Sequence, residues 1–151
     1  MILILAISME IRISIIEVTH MEHTLKTDGR YTCDQGLHTF EFHAATLSKI
    51  SSNLRYAAEA HIAFQVVLPD GVIQFVPGAS RIFDAVCLSD GFIQITADPD
   101  YLLSLANTFS NMANETDPEL IDLVHTHLDT YLSHPSINVT DIVIERIDNE
   151  A

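Results

Sequence analysis

Apolar and polar residues alternate from Met9 onward. Ile11, Ile13 and Ile15 fall on one side, and Glu10, Arg12 and Ser14 on the other. A period of two predicts a half-buried strand. After Val18 the chain turns polar over 19–36, with Asp28-Gly29 and Gln35-Gly36 as turn signals. Leu37 to His43 predicts a strand through Phe40 and Phe42. The period then changes. Leu47, Ile50, Leu54 and Ala57 or Ala58 recur at helical spacing, with Thr46 or Ser48 as candidate cap. Strand character returns over 61–68, Pro69-Asp70-Gly71 is a tight-turn signature, and Val72 to Val76 runs back until Pro77-Gly78 breaks it. Ile82 to Leu88 and Phe92 to Ala97 predict two more strands about the Asp90-Gly91 turn.

Asp98-Pro99-Asp100 is a helix start: Asp98 can accept backbone N–H groups as N-cap, and Pro99 suits the first helical position. Leu102, Leu105, Ala106, Phe109 and Met112 or Ala113 form the stripe of that helix, which reads as core packing. Asn114 to Glu119 is a polar, acidic connection. Leu120 to Leu128 predicts a strand whose opening could be a short helix, Ser133 to Ser136 a loop, and Val139 to Ile147 a closing strand. The order is β–α–β–β followed by β–β–α–β–β. Segments 40–54 and 93–107 are faintly repeated, each a strand, a cap region and a helix. The expected fold is one α+β domain over 1–151, with a mostly antiparallel sheet, two helices on one face and two β-α-β-β-like halves.

Composition narrows the function classes. In 151 residues, 48% are apolar and mean hydropathy is +0.23, so the chain can build a core despite a net charge of −14. That charge is uneven. Residues 1–87 carry nine acids and six bases; residues 88–151 carry twelve acids and only Arg146. The acidic portion is either a solubilising surface or a docking face for a cationic partner. An acidic chain is poorly suited to neutralising phosphates or to anionic membranes, so neither nucleic acid nor membrane is an expected partner. Cys33 and Cys87 belong to no CxxC and fit a reducing cytosol; Cys87 sits in the apolar run 85–88. Residues 2–7 are too few to span a membrane and lack the features of a signal peptide. Met1, Met9 and Met21 are all plausible starts, and 1–8 reads as a strand extension or a start-site extension. The expected location is cytoplasmic.

No phosphate-loop, dinucleotide, nucleophile-elbow, HExxH or EF-hand signature occurs, so no catalytic residue, cofactor or enzyme activity is expected. Histidine is the enriched chemical type, with eight copies. His20 and His23 lie three apart in a region read as loop. In the run 125–129, strand alternation puts His125, His127 and Asp129 on one face and Val124, Thr126 and Leu128 on the other. The polar set is competent for a metal, for recognition of a partner, for pH sensing, or simply for solvation. No metal is assigned to it.

Residues 91–114, then 124–129 with His-Thr-His-Leu-Asp, then 141–148 resemble the immunity protein 32 family of bacterial polymorphic toxin systems. The resemblance falls within 90–148, and the acidic stretch 115–123 before the histidine strand departs from it. It implies a non-enzymatic antidote that binds and blocks a cognate toxin. A second resemblance is architectural. The first helix, the hairpin with Asp70-Gly71 and the run 80–88 are similar to half a DNA sliding-clamp domain. Clamps carry Lys and Arg on their inner helices; here the first helix has Lys49 and Arg55, and the second has no base.

The leading expectation is therefore an immunity module neutralising a basic toxin. Asp98, Asp100, Glu115, Asp117, Glu119 and Asp122 would steer the partner, and His125, His127 and Asp129 would touch it. The alternatives are a subunit of a homo-oligomeric or clamp-like assembly, down to a homodimer, and a metal-binding protein using the His125/His127 strand.

Overall fold

The structure, a computed structural model, describes residues 24–121, 124–128 and 141–147. The proposed starts, the strand from Met9, His20, His23, Asp122 and Asp129 lie outside the described residues. A short strand β1 (Thr24–Lys26) comes first. Four antiparallel pairings follow: β2 (Arg30–Asp34) with β3 (Leu37–His43), β4 (Phe64–Leu68) with β5 (Gly71–Pro77), β6 (Phe83–Ser89) with β7 (Phe92–Ala97), and β8 (His125–His127) with β9 (Asp141–Ile147). Helix α1 (Ala44–Ala60) follows β3, α2 (Pro99–Asn114) follows β7, and the single turn α3 (Pro118–Ile121) precedes β8.

The α+β class read from the sequence is the class observed, with the helices packed on sheet. The sheet itself is divided in two. One has the order β1-β4-β5-β7-β6 and the other β2-β3-β9-β8. The hairpins are joined by parallel seams, β5 with β7 and β3 with β9; β1 adds a third parallel pair with β4. The β5–β7 seam is parallel because β6 lies beyond β7. The chain reverses twice between β5 and β7 and so runs in its first direction again.

The two halves repeat one unit: hairpin, helix, hairpin. The observed repeat runs at a spacing of 55 positions through strand and helix. It matches His38, Phe40 and Phe42 with Ile93, Ile95 and Ala97, and Leu47, Ile50 and Leu54 with Leu102, Leu105 and Phe109. Aligning 40–54 with 93–107 is two positions out of step. In a strand a shift of two keeps every side chain on its face; in a helix it turns the stripe by ~200°. Two loop bonds follow the same equivalence. Val72 N–H donates to Gly91 O (2.6 Å) and Asp141 N–H to Gly36 O (3.3 Å). Gly36 (φ 83°) and Gly91 (φ 73°) occupy the left-handed region at corresponding turns, where glycine has no Cβ to strain.

Each sheet takes one hairpin from each unit, so neither unit can close its own core. The helices pack on each other where the units meet. There the buried Ser51 hydroxyl donates to the carbonyl of Ala106, its own counterpart in the repeat, at 2.6 Å. Six phenylalanines (Phe40, Phe42, Phe64, Phe75, Phe83 and Phe109) are fully buried, in a cluster continuous across both sheets and both helices. Burying each such side chain stabilises by about 1.5–3 kcal/mol.

The helix ends differ. Asp98 caps α2 as the sequence indicates, with Pro99 in the first turn. Neither Thr46 nor Ser48 caps α1; its N-cap is His43, with no side-chain cap bond. The helix begins directly at the end of β3, earlier than its apolar stripe. Two predicted elements are also redrawn. The polar stretch 19–36 contains β1 and β2, and 120–128 holds the end of α3 and only a short strand. Among the described residues no helix is long and apolar enough to cross a membrane.

Candidate functional site

The acids expected to steer a partner divide into two groups at opposite ends of α2, a helix ~24 Å long. Asp98 and Asp100 lie at its start. The Asp98 carboxylate accepts from the backbone N–H of Arg81 (2.7 Å) and of Asp100 (2.9 Å), and these bonds, Arg81 first, hold it below the ordinary carboxylate range. Glu115, Asp117 and Glu119 lie past its end. Glu115 accepts from Asp117 N–H and Asp117 from Glu119 N–H, both at 3.0 Å. Three of these acids therefore organise local turns and caps. The one base of the acidic region is likewise engaged: Arg146 donates to the carbonyls of Met112 (3.0 Å) and Glu115 (2.7 Å), closing the C-terminal end of α2.

The histidine strand is placed differently. Leu128 is fully buried, Val124 packs against the core, and His125 and His127 are exposed, as the alternation requires. β8 is an outer strand of its sheet among the described residues. The His125 and His127 rings lie 5.1 Å apart between centroids, inclined at 79°. Across the ladder His125 stands opposite Glu145, and His127 Nδ1 lies 2.6 Å from Asp141 Oδ2. The other oxygen, Asp141 Oδ1, is buried without a hydrogen bond among the described residues.

Asp141 and Glu145 were missed by sequence reasoning. The alternation of 141–147 does put them on one face, opposite Ile142 and Ile144. Only the β8–β9 register brings that face to the histidines. Among the described residues no three His, Cys, Asp or Glu side chains converge as metal ligands.

A second polar cluster was not anticipated. Tyr31 and His38 are buried neighbours on β2 and β3, with the Tyr31 hydroxyl 2.8 Å from His38 Nδ1. Burial first, then Cys33, pushes the Tyr31 hydroxyl well above the phenol range. Cys33 and Cys87 occupy matching places in the repeat, opposite His38 and Ile93, and both are free thiols. Cys33 is exposed and Cys87 is half-buried, although Cys87 sits in an apolar run. Burial pushes the Cys87 thiol up, away from the reactive thiolate.

The outer face of the helix pair has a third character. Its exposed side chains include Ser48, Ser52 and Tyr56 on α1, and Ser104, Asn107 and Asn111 on α2. The charges on the two helices are Lys49, Arg55, Glu59 and Asp100, which cancel. In a chain of −14 this face is neutral and polar.

No family model matches the chain, and no curated protein or solved structure matches it.

Proposed function

We propose that the chain is a non-enzymatic assembly module, a clamp-like domain that joins copies of itself through its sheet edges. The observation that carries this reading is the doubled unit. The sliding-clamp resemblance rests on one helix, one hairpin and the strand after it, half of such a domain. Its helix and hairpin recur in both halves here, with the two helices packed on each other between the halves, while the strand after the hairpin follows only the first copy among the described residues. The outer strands supply the means of joining. β6 and β8 each end one of the two sheets among the described residues, and an outer strand offers unpaired backbone groups to a neighbour. β6 also exposes Leu88 beside its bulge. The neutral helix pair would then face the inside of the assembly, with the acidic surface outside.

Sedimentation of the full chain across a concentration series tests this. A defined oligomer that dissociates on dilution supports it, and a monomer at tens of micromolar overturns it. Incubation with circular and linearised DNA separates a clamp from a plain oligomer: a clamp stays on the circle and slides off the linear form. The immunity reading predicts something else, a single basic protein captured at low salt and released at high salt. The division of the acids between the two ends of α2 offers it two small patches instead of one face.

A further inference from the structure

We infer that Cys33 and Cys87 are a paired-thiol site, oxidised by a hydroperoxide to a reversible disulfide that ties one sheet to the other. The two residues come from different sheets. Cys33 is on β2 and Cys87 on β6, each the end strand of its sheet among the described residues. Tyr31 docks these strands on each other. Its backbone N–H donates to Asp70 Oδ1 at 3.2 Å, and its ring lies against the turns that hold Gly71 and Gly91. A Cβ at Gly71 would stand 2.7 Å from that ring, so glycine is what lets β2 come so close. Cys33 follows two places on, on the same face of β2 as Tyr31. There it lines a cleft of about 320 Å³ whose other walls include Cys87, His38 and Asp90.

The thiols are near enough to sense each other. The charge of each is felt at the Tyr31 hydroxyl, and that of Cys33 at Cys87. Their surroundings set the order of events. Cys33 is exposed and meets the oxidant first. Cys87 is half-buried, its Sγ donates to the Ser89 carbonyl at 3.2 Å, and burial pushes its thiol up, which keeps it protonated. The Cys33 thiolate attacks one peroxide oxygen. The O–O bond breaks, a first water leaves, and Cys33 becomes a sulfenic acid. Cys87 Sγ then attacks Cys33 Sγ. The S–S bond forms, the S–O bond breaks, and the sulfenic hydroxyl leaves with the Cys87 proton as a second water. Two thiols lose two electrons, and the peroxide gains them.

Intact-mass analysis of the full chain, reduced and then treated with hydrogen peroxide, tests the inference. The expected product is a single chain lighter by two hydrogens, with peptide mapping joining Cys33 to Cys87, and dithiothreitol restores it. Cys87→Ser should leave a Cys33 sulfenic acid that dimedone traps. Cys33→Ser should leave Cys87 unmodified over the same exposure. Circular dichroism checks that both variants keep their fold. The bond closes a loop of 54 positions between two sheets and should raise Tm by about 5–15 °C. Disulfide-linked dimers, a Cys33 sulfinic acid in the unmutated chain, or two thiols left untouched overturns the pair. So does an oxidised chain with a Tm below that of the reduced one, which would mean that the backbone must be forced to bring the sulfurs together. Trapping at Cys87 in Cys33→Ser as fast as at Cys33 in Cys87→Ser overturns the order of attack.

Discussion

The two halves of this protein share a backbone plan and differ in what they place on it. At the buried positions the halves are interchangeable in kind: Phe40 and Phe42 against Ile95 and Ala97, Leu54 against Phe109, Ile73 and Phe75 against Ile142 and Ile144. On the outward face they part. Where the first half carries Gln65, Val72 and Val76, the second carries His127, Asp141 and Glu145. Beneath the outer strands the polarity reverses, with the Tyr31–His38 pair in the first half and Ala85 and Ile93 in the second. A fold constrains the volume and apolarity of its core positions and leaves the outward ones to chemistry. The chemical character of the second half is thus a property of its surface alone.

The largest test of this comparison is to damage each half at the same place. Leu54→Ala should cost about 2–5 kcal/mol and Phe109→Ala about 3–5 kcal/mol in urea denaturation. Each variant should still unfold in one transition, because each sheet contains strands from both halves. Two separate transitions would show the halves to be independent.

Next in size is Tyr31→Phe, which takes the hydroxyl partner from the buried His38 ring and should cost about 1–2 kcal/mol. Its pH dependence has a definite sign. The folded chain keeps the Tyr31 proton where the unfolded chain, with a phenol near pH 10, has lost it. Stability from this group is intact below about pH 10 and falls as pH rises beyond it. Tyr31→Phe should flatten that alkaline fall in thermal denaturation scans; an unchanged fall would assign it elsewhere.

Ser51→Ala should cost about 1 kcal/mol by removing the bond to Ala106 at the meeting of the halves. The matching change, Ala106→Ser, should give no such gain. Smallest is Asp98→Asn, measured by its acid denaturation midpoint. The lowered Asp98 carboxyl stabilises the fold above the ordinary carboxylate range and stops doing so as pH falls through its folded pKa. The variant should lose that component of the acid transition, and α1, which has no side-chain cap, offers no equivalent site.

Much of the architecture was legible locally. The α2 start, the helical stripes, the turns at Asp70-Gly71 and Asp90-Gly91 and the inward Leu128 follow from period, cap chemistry and turn residues, all short-range signals. β2 was hidden because only Tyr31 is buried in it, so its five residues carry no alternation. The candidate site was half legible: His125 and His127 were visible as an i, i+2 pair, and Asp141 was not. Its relation to them depends on a ladder between strands 14 positions apart.

By itself, the sequence determined the apolar stripes that face the core, where the helices lie, a faint repeat, and that its acids concentrate after residue 87. Periodicity and composition are properties of neighbours along the chain. Tertiary structure decided that the sheet is two, that each takes a hairpin from both halves, and that the repeat runs at 55 and not two positions less. It also decided that Asp141 meets His127 and that the acids of α2 part to its two ends. These are pairings between distant segments, chosen by which apolar faces can cover one another, and no local pattern encodes the choice.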